Sequence, residues 1–274
     1  MSMSNIFIRL FEQNYFKYFG KARHGELNYR LFKTLIKCLG INNWESSSVS
    51  GEKWVIVCLL KQYGFQDGSV FFDVGANIGN YANEVLTTYP TAKGFLFEPH
   101  PVSFKKLADG KNLRNAQVFN IALGEKNEFL SFYDRADTEG SEHASLYSGA
   151  LSSIHKQAMV EIKVEVKTLD SFCHEKQISH IDFLKIDTEG HELAVLKGAQ
   201  KLLAGNSIRL IQFEFNEMNV ISRTYMRDFL ELLSNFQLHR LLPDGLLPLN
   251  NCVQDTELFG FQNIVAIQMK EAQK

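Results

Sequence analysis

Three acidic positions close apolar runs in this chain of 274 residues, and their order suggests a single ligand. In Phe71-Phe72-Asp73-Val74-Gly75-Ala76-Asn77-Ile78-Gly79-Asn80 a strand-like run enters a glycine-bearing turn before a helix. Gly75 lets the backbone approach a ligand, Asn77 tolerates the left-handed region, and Gly79 allows close helix packing. The spacing Asp-x-Gly-x-x-x-Gly is not the Gly-x-Gly-x-x-Gly of dinucleotide binders, whose turn offers a helix N-terminus to a pyrophosphate. A carboxylate at Asp73 suits a charged amine instead, such as that on the amino-acid part of S-adenosylmethionine (SAM).

Phe95-Leu96-Phe97-Glu98-Pro99 ends a second run in a carboxylate able to accept hydrogen bonds from both hydroxyls of a ribose. Glu98 could equally cap the helix that Pro99 and Pro101 open. Asn120 and the small Ala122 follow a third run, where an adenine ring would sit. The run 181–186 leads into Asp187-Thr188-Glu189-Gly190-His191-Glu192, beside the reactive end of such a ligand. Methyl transfer is an in-line displacement that depends on positioning, and an alkyl hydroxyl as acceptor benefits from a general base. His191 and Asp187 are the candidate catalytic residues, although a histidine opening a helix often has only a structural role. Asp187 is also a candidate holder of the cofactor amine, and Glu189 could simply favour the helix terminus. No metal is expected; the alternative is a divalent cation between Asp187, Glu189 and Glu214.

The series of motifs resembles the FkbM-type methyltransferases. It comprises Asp73-Val74-Gly75-Ala76-Asn77-Ile78-Gly79, Phe97-Glu98-Pro99, Ala122-Leu123-Gly124, Thr168-Leu169-Asp170, Lys185-Ile186-Asp187-Thr188-Glu189-Gly190-His191-Glu192 and Leu196-Lys197-Gly198-Ala199, over about residues 50 to 215. The resemblance implies a SAM-dependent enzyme with a Rossmann-like fold, commonly an O-methyltransferase acting on hydroxyls of sugars, polyketides or related metabolites. It names no acceptor.

To bring these positions to one edge, the chain needs a parallel sheet. Short β-rich runs alternate with helical stretches from Val70 onward, which predicts βαβ units with strands at 70–74, 94–97, 117–121, 181–186 and 208–215. The expected fold is α/β: a Rossmann-like, doubly wound, mostly parallel sheet of the class I SAM methyltransferase type. Runs at 129–134 and 160–166 alternate apolar with polar residues, predicting an inserted antiparallel hairpin around a polar loop at 135–156. Two last strands fall at 237–241 and 263–268, the final one antiparallel. Residues 1–50 form an N-terminal helical appendage and 51–274 the methyltransferase domain. The appendage carries Phe7, Leu10, Phe11, Tyr15 and Tyr18 at helical spacing, a stripe expected to pack on the main domain, with a substrate lid or a membrane-surface contact as alternatives.

A formal net charge of -2 with both signs interspersed argues against nucleic acid as a partner. The four cysteines are widely spaced and read as small buried hydrophobes of a cytoplasmic protein. No apolar run reaches the roughly 18 to 20 residues of a membrane span. The reading is an O-methyltransferase using SAM on a small-molecule or carbohydrate hydroxyl. An NAD-dependent oxidoreductase, which should show the three-glycine turn, and a non-catalytic SAM-fold partner are the alternatives.

Overall fold

The computed structural model describes residues 3–110, 113–135, 159–249 and 253–269. Its strands are β1 Val70–Val74, β2 Lys93–Phe97, β3 Ala116–Phe119, β4 Ala122–Leu123, β5 Glu128–Arg135, β6 Met159–Lys167, β7 Ile181–Ile186, β8 Ile208–Phe215, β9 Phe236–Leu242, β10 Gly245–Pro248 and β11 Gln262–Gln268. Eight of them form one sheet in the order β10-β9-β11-β8-β7-β1-β2-β3. β3, β2, β1, β7 and β8 run parallel, while β11 and β9 are antiparallel to their neighbours. A parallel strand is buried on both faces, which is why β1 and β7 read almost continuously apolar. Successive side chains serve opposite layers: Phe72 packs with Phe95, Phe97 and Phe172, and Phe71 with Leu96, Phe183 and Leu210.

β2 and β3 extend the sheet to one side of β1, whereas β7 and β8 extend it to the other. Strand order therefore reverses between β1 and β7, and the loops leaving their carboxyl ends diverge and open a crevice there. The five parallel strands, the hairpin β5–β6 and the antiparallel β11 lie where the sequence predicts them, within two residues at each end. Two strands escaped prediction. β4 is only two residues long and joins β6 in a separate three-stranded sheet with β5, and β10 is an edge strand after a tight turn. Most of the predicted loop at 135–156 lies outside the described residues.

The expected helices of the appendage are α1 Met3–Phe19 and α2 Gly25–Cys38. They hold one another through Tyr15 Oη donating to Asn28 Oδ1 at 2.9 Å and Asn28 Nδ2 donating to the Phe19 carbonyl at 2.9 Å. The aromatic stripe does not pack on the main domain: Phe7, Phe11, Phe16 and Tyr18 are exposed, and α2 has no buried residue. Periodicity revealed the helices but not what covers them. Two cysteines also depart from expectation, since Cys38 and Cys58 are exposed and only Cys173 is buried among the described residues. The chain then turns along β9, where Gly40 and Gly51 sit at φ of +78° and +89°. A Cβ at either would come within 2.5 or 2.4 Å of the Leu241 or Leu242 carbonyl oxygen. This close approach brings the segment 42–47 to the rim of the crevice.

Candidate active site

A cavity of about 1060 Å³ occupies the crevice at the carboxyl ends of β1, β2, β7 and β8. Its floor is the β1 turn. Gly75 and Gly79 hold φ of +85° and +88°, and Asn77 reaches +47° without being glycine. Gly75 is required by the protein itself, because a Cβ there would stand 1.8 Å from the Asp187 carbonyl oxygen at the end of β7. Gly79 lets the helix Asn80–Thr88 begin against Leu107, whose Cδ1 a Cβ would meet at 2.7 Å. The turn is thus pressed between two neighbours, with the Gly75 and Ala76 amides donating to the Phe97 carbonyl and the Asn77 amide to Glu98.

Glu98 is buried, its Oε2 accepting from the Asn77 amide at 2.9 Å and its Oε1 from the His100 amide at 2.7 Å. It ties the β1 turn to the end of β2 while lining the cavity. Burial pushes its carboxyl up to about 7, against the two amides that favour the charged form. Each oxygen keeps a lone pair beyond its amide bond, so the carboxylate can still accept donors from a ligand.

Asp73 lies 1% exposed at the end of β1; the Ala82 amide favours its charged form, but neither carboxylate oxygen makes a hydrogen bond of ordinary geometry. Burial raises its pKa to about 6, with the charges of Asp187 and Glu52 adding to the effect and Lys185 opposing it. A buried carboxylate left unsatisfied at a cavity wall calls for a cationic or hydrogen-bond-donating ligand.

Lys185, on β7, is buried; it heads one of the sequence motifs, but nothing in the motif assigns it a role. Its Nζ donates to Asp187 Oδ2 at 2.8 Å and stands 4.9 Å from the centre of the Tyr81 ring. Burial lowers its pKa, but the charges of Asp187, Asp73 and Glu52 outweigh that and keep it protonated. Tyr81 is fixed in turn, its hydroxyl donating to Gln212 Oε1 at 3.0 Å and Gln212 Nε2 to Asn263 Oδ1 at 3.0 Å. Only the folded sheet unites these four positions, spread over β1's following helix, β7, β8 and β11.

Asp187 is half-buried and sits within hydrogen-bond reach of Glu214. Burial pushes the Asp187 carboxyl up, yet the Lys185 charge and the hydrogen bonds from Glu214 and Lys185 hold it below the ordinary range. Burial and the charges of Asp187 and Glu189 raise Glu214 well above its usual value. The two shifts are opposed, so a proton shared by the pair is favoured on Glu214 rather than on Asp187. Among the described residues no three His, Cys, Asp or Glu side chains converge as a metal-binding set.

His191 opens the helix Glu192–Lys197 and lines the cavity, tucked so close to the β4 turn that a Cβ on Gly124 would lie 2.9 Å from its Nε2. Burial lowers its pKa to about 4. The imidazole is therefore neutral at physiological pH and a weak base. Glu192, fully buried, accepts on one oxygen from the Thr188 amide at 2.9 Å, the Thr188 hydroxyl at 3.0 Å and the Gly190 amide at 3.1 Å. It shapes the loop whose Glu189 takes a positive φ of +51°. Ala122 is buried and lines the cavity, as Asp73, Gly75, Asn77, Glu98, Asp187 and His191 do. Asn120 stands apart: exposed and outside the lining, it donates through Nδ2 to the Glu98 and Pro99 carbonyls, both at 2.9 Å. Its role in the structure is to brace the Glu98 loop, and proximity in sequence to Ala122 could not reveal that.

What the cavity can hold follows from its charge. Nine acidic side chains line it, and Lys185 is the one lysine or arginine among the described lining residues. Such a site repels phosphate and attracts a cation. The unsatisfied Asp73, the acceptor lone pairs of Glu98 and the glycine-lined floor together fit a ligand with an ammonium and a ribose and no phosphate.

The family model described as the methyltransferase FkbM domain matches residues 73–238. Among curated proteins, the chain is 26% identical to the 2-O-methyltransferase NoeI of Sinorhizobium fredii, over 65% of this chain and 76% of that protein. It is 27% identical to the hexuronic acid methyltransferase AglP of Haloferax volcanii, over 62% of this chain and 65% of that protein. It is 28% identical to methyltransferase 1 of Beauveria bassiana, over 49% of this chain and 59% of the relative. The matched segments thus span between 59% and 76% of these relatives' lengths.

Proposed function

The chain belongs to the FkbM methyltransferases, enzymes that take their methyl group from SAM, and from that premise we propose that it methylates a hydroxyl of a neutral sugar. When bound, SAM supplies a methyl carbon made electrophilic by the sulfonium it leaves. Asp73 would hold the ammonium, Glu98 the ribose hydroxyls, and Gly75, Asn77 and Ala122 would shape the space around them. Gly79 and Asn120 support that arrangement from behind.

The observation that carries the reading is the Asp187–Glu214 pair, beside Asp73 and Lys185 at the carboxyl ends of the parallel strands, in an acid-lined cavity wide enough for a second substrate. In this assignment Asp187 accepts the proton of the sugar hydroxyl as the oxygen attacks. Lys185 fixes one of its oxygens, and Glu214 orients it through the shared proton. His191 lies close by, but its Nε2 is tucked against Gly124, so position rather than basicity makes it the weaker candidate for the base. Its imidazole would instead position the acceptor. Trp44, at the cavity rim and exposed, offers a ring on which the C–H face of a pyranose can stack.

The test is a screen of neutral sugars and glycosides with SAM, with product methyl ethers located by mass spectrometry. On the acceptor so found, Asp187→Asn should lower kcat by about 10² to 10⁴. His191→Ala should keep the pH profile of wild type above about pH 6 and lower kcat/KM mainly through KM. Full activity in Asp187→Asn, together with loss of rate in His191→Ala, would assign the base to the histidine. Methyl transfer only to nitrogen or carbon acceptors would overturn the hydroxyl reading.

A further inference from the structure

The appendage formed by α1 and α2 projects an apolar surface that neither the catalytic cavity nor the core uses. On one face of α1, Phe7 and Phe11 are 73% and 62% exposed and Leu10 and Tyr18 52% and 60%, and on α2 Phe32 and Leu35 are 54% and 60% exposed. Exposed apolar area on this scale marks an interaction surface rather than ordinary surface scatter. Its charge identifies the partner. Residues 3–39 hold seven lysines and arginines against two glutamates, although the whole chain is net acidic at -2. The basic groups are interleaved with the rings: Lys17 Nζ lies 5.6 Å from the Tyr18 ring centre and Lys33 Nζ 4.8 Å from that of Tyr29.

The geometry points to this hairpin as a docking surface for an anionic lipid bilayer, lying in the headgroup region with its aromatic rings at the acyl boundary. Aromatic side chains with basic neighbours suit that interface, where the ring is buried shallowly and the cation meets lipid phosphate. A second copy of the chain fits the apolar area less well, because the same surplus of positive charge would then face itself. Neither helix spans the bilayer, since none among the described residues is long and apolar enough to cross it. Neither helix contributes to the cavity lining, so docking at the surface leaves the cavity free to receive its acceptor.

The experiment is co-sedimentation of the full chain with vesicles of phosphatidylcholine alone and of phosphatidylcholine with about one third phosphatidylglycerol, at low and high salt. The protein should pellet with the anionic vesicles, weakly or not at all with the neutral ones, and less at high salt. Lys17→Ser with Lys33→Ser should lower partitioning roughly 25-fold, about fivefold for each charge near the surface. Phe7→Ser with Phe11→Ser, which share one face of α1, should lower it by at least about tenfold. All variants should keep the wild-type melting shift with S-adenosylhomocysteine, which separates loss of docking from loss of fold. Equal pelleting with both vesicle types, no pelleting, or variants that sediment like wild type would each overturn the proposal. So would a dimer in light scattering that the phenylalanine substitutions dissolve while vesicle binding is absent.

Discussion

At the scale of single residues, several motif positions serve contacts within the protein rather than contacts to a ligand. Gly75 illustrates the difference. A glycine in a strand-to-helix turn suggests room for a ligand, but the nearest obstacle to a Cβ at Gly75 is the Asp187 carbonyl oxygen at 1.8 Å. Gly75→Val combines that overlap with a left-handed backbone, so it should cost at least about 3 kcal/mol of folding stability. Urea unfolding of the ligand-free protein checks this, and a Gly75→Val chain of wild-type stability that merely fails to bind SAM would return the glycine to a ligand-contact role. Gly198 acts similarly, pressing within 2.0 Å of the Gly124 carbonyl oxygen if given a Cβ. Thr168 and Asp170 cap helices, Thr168 Oγ1 accepting from the Ser171 amide and Asp170 from those of Lys201 and Leu202. These motifs were legible in the sequence as motifs, yet their division into site and joinery depends on distances that only the folded chain supplies. Lys185 stands in a motif too, but its role was illegible for the opposite reason. Within an apolar strand it reads as an interruption, and its purpose appears only when Asp73, Glu52 and Asp187 surround it.

At the scale of elements, alternation and periodicity located the parallel strands and the hairpin because burial on two faces or one leaves distinct patterns. They could not foresee β4, which is too short to show a period, nor the way in which the loop after β7 is built. That loop depends on Glu192, whose single oxygen gathers three donors while the other has no partner. Burial raises the Glu192 pKa from 4.5 to about 7. A folded-state pKa above the unfolded one means that the native state keeps its proton longer, so this contribution is complete below about pH 4.5 and is lost as pH rises through about 7. Glu192→Gln mimics the protonated carboxyl and retains the acceptor oxygen. It should therefore match wild type near pH 4.5 and exceed its stability near pH 8 by up to about 3 kcal/mol. His191, depressed to about 4, shifts stability in the opposite sense over part of the same range, but it is common to both proteins and cancels in the comparison. Urea midpoints of the two ligand-free proteins at both pH values decide it; a constant difference between them would mean that Glu192 does not titrate in this window.

At the scale of the whole molecule, a nearly balanced net charge conceals a strongly polarised one. The remaining residues beyond the hairpin carry 22 lysines and arginines against 29 acids, and nine of those acids face one cavity. Composition cannot disclose this, because the lining is drawn from segments as distant as Glu52 and Glu214. The consequences reach beyond cofactor choice. Burial and mutual repulsion raise the carboxyls of Asp73 and Glu98 to about 6 and about 7 and push that of Glu214 upward, and a cation entering the cavity favours their charged forms. An anionic acceptor meets the reverse, since its carboxylate must approach Asp187 and Glu189 with only Lys185 to offset them, and that ammonium is already engaged by Asp187. A like charge held near such a wall costs on the order of 1 to 2 kcal/mol even in a high-dielectric cleft, which corresponds to roughly tenfold in kcat/KM. A neutral hexoside should thus be methylated about tenfold or more faster, at subsaturating concentration, than the uronic acid that differs from it only at the carboxylate. Because the penalty is electrostatic and the cavity is open to solvent, raising the salt concentration should narrow the gap, chiefly by lowering the KM of the acid. The methyl ester of the uronic acid separates charge from shape: it should behave like the neutral sugar. Equal rates for acid and ester at low salt would show that the acidic lining does not face the acceptor, and would place the sugar against the outer rim formed by residues 42–47 instead.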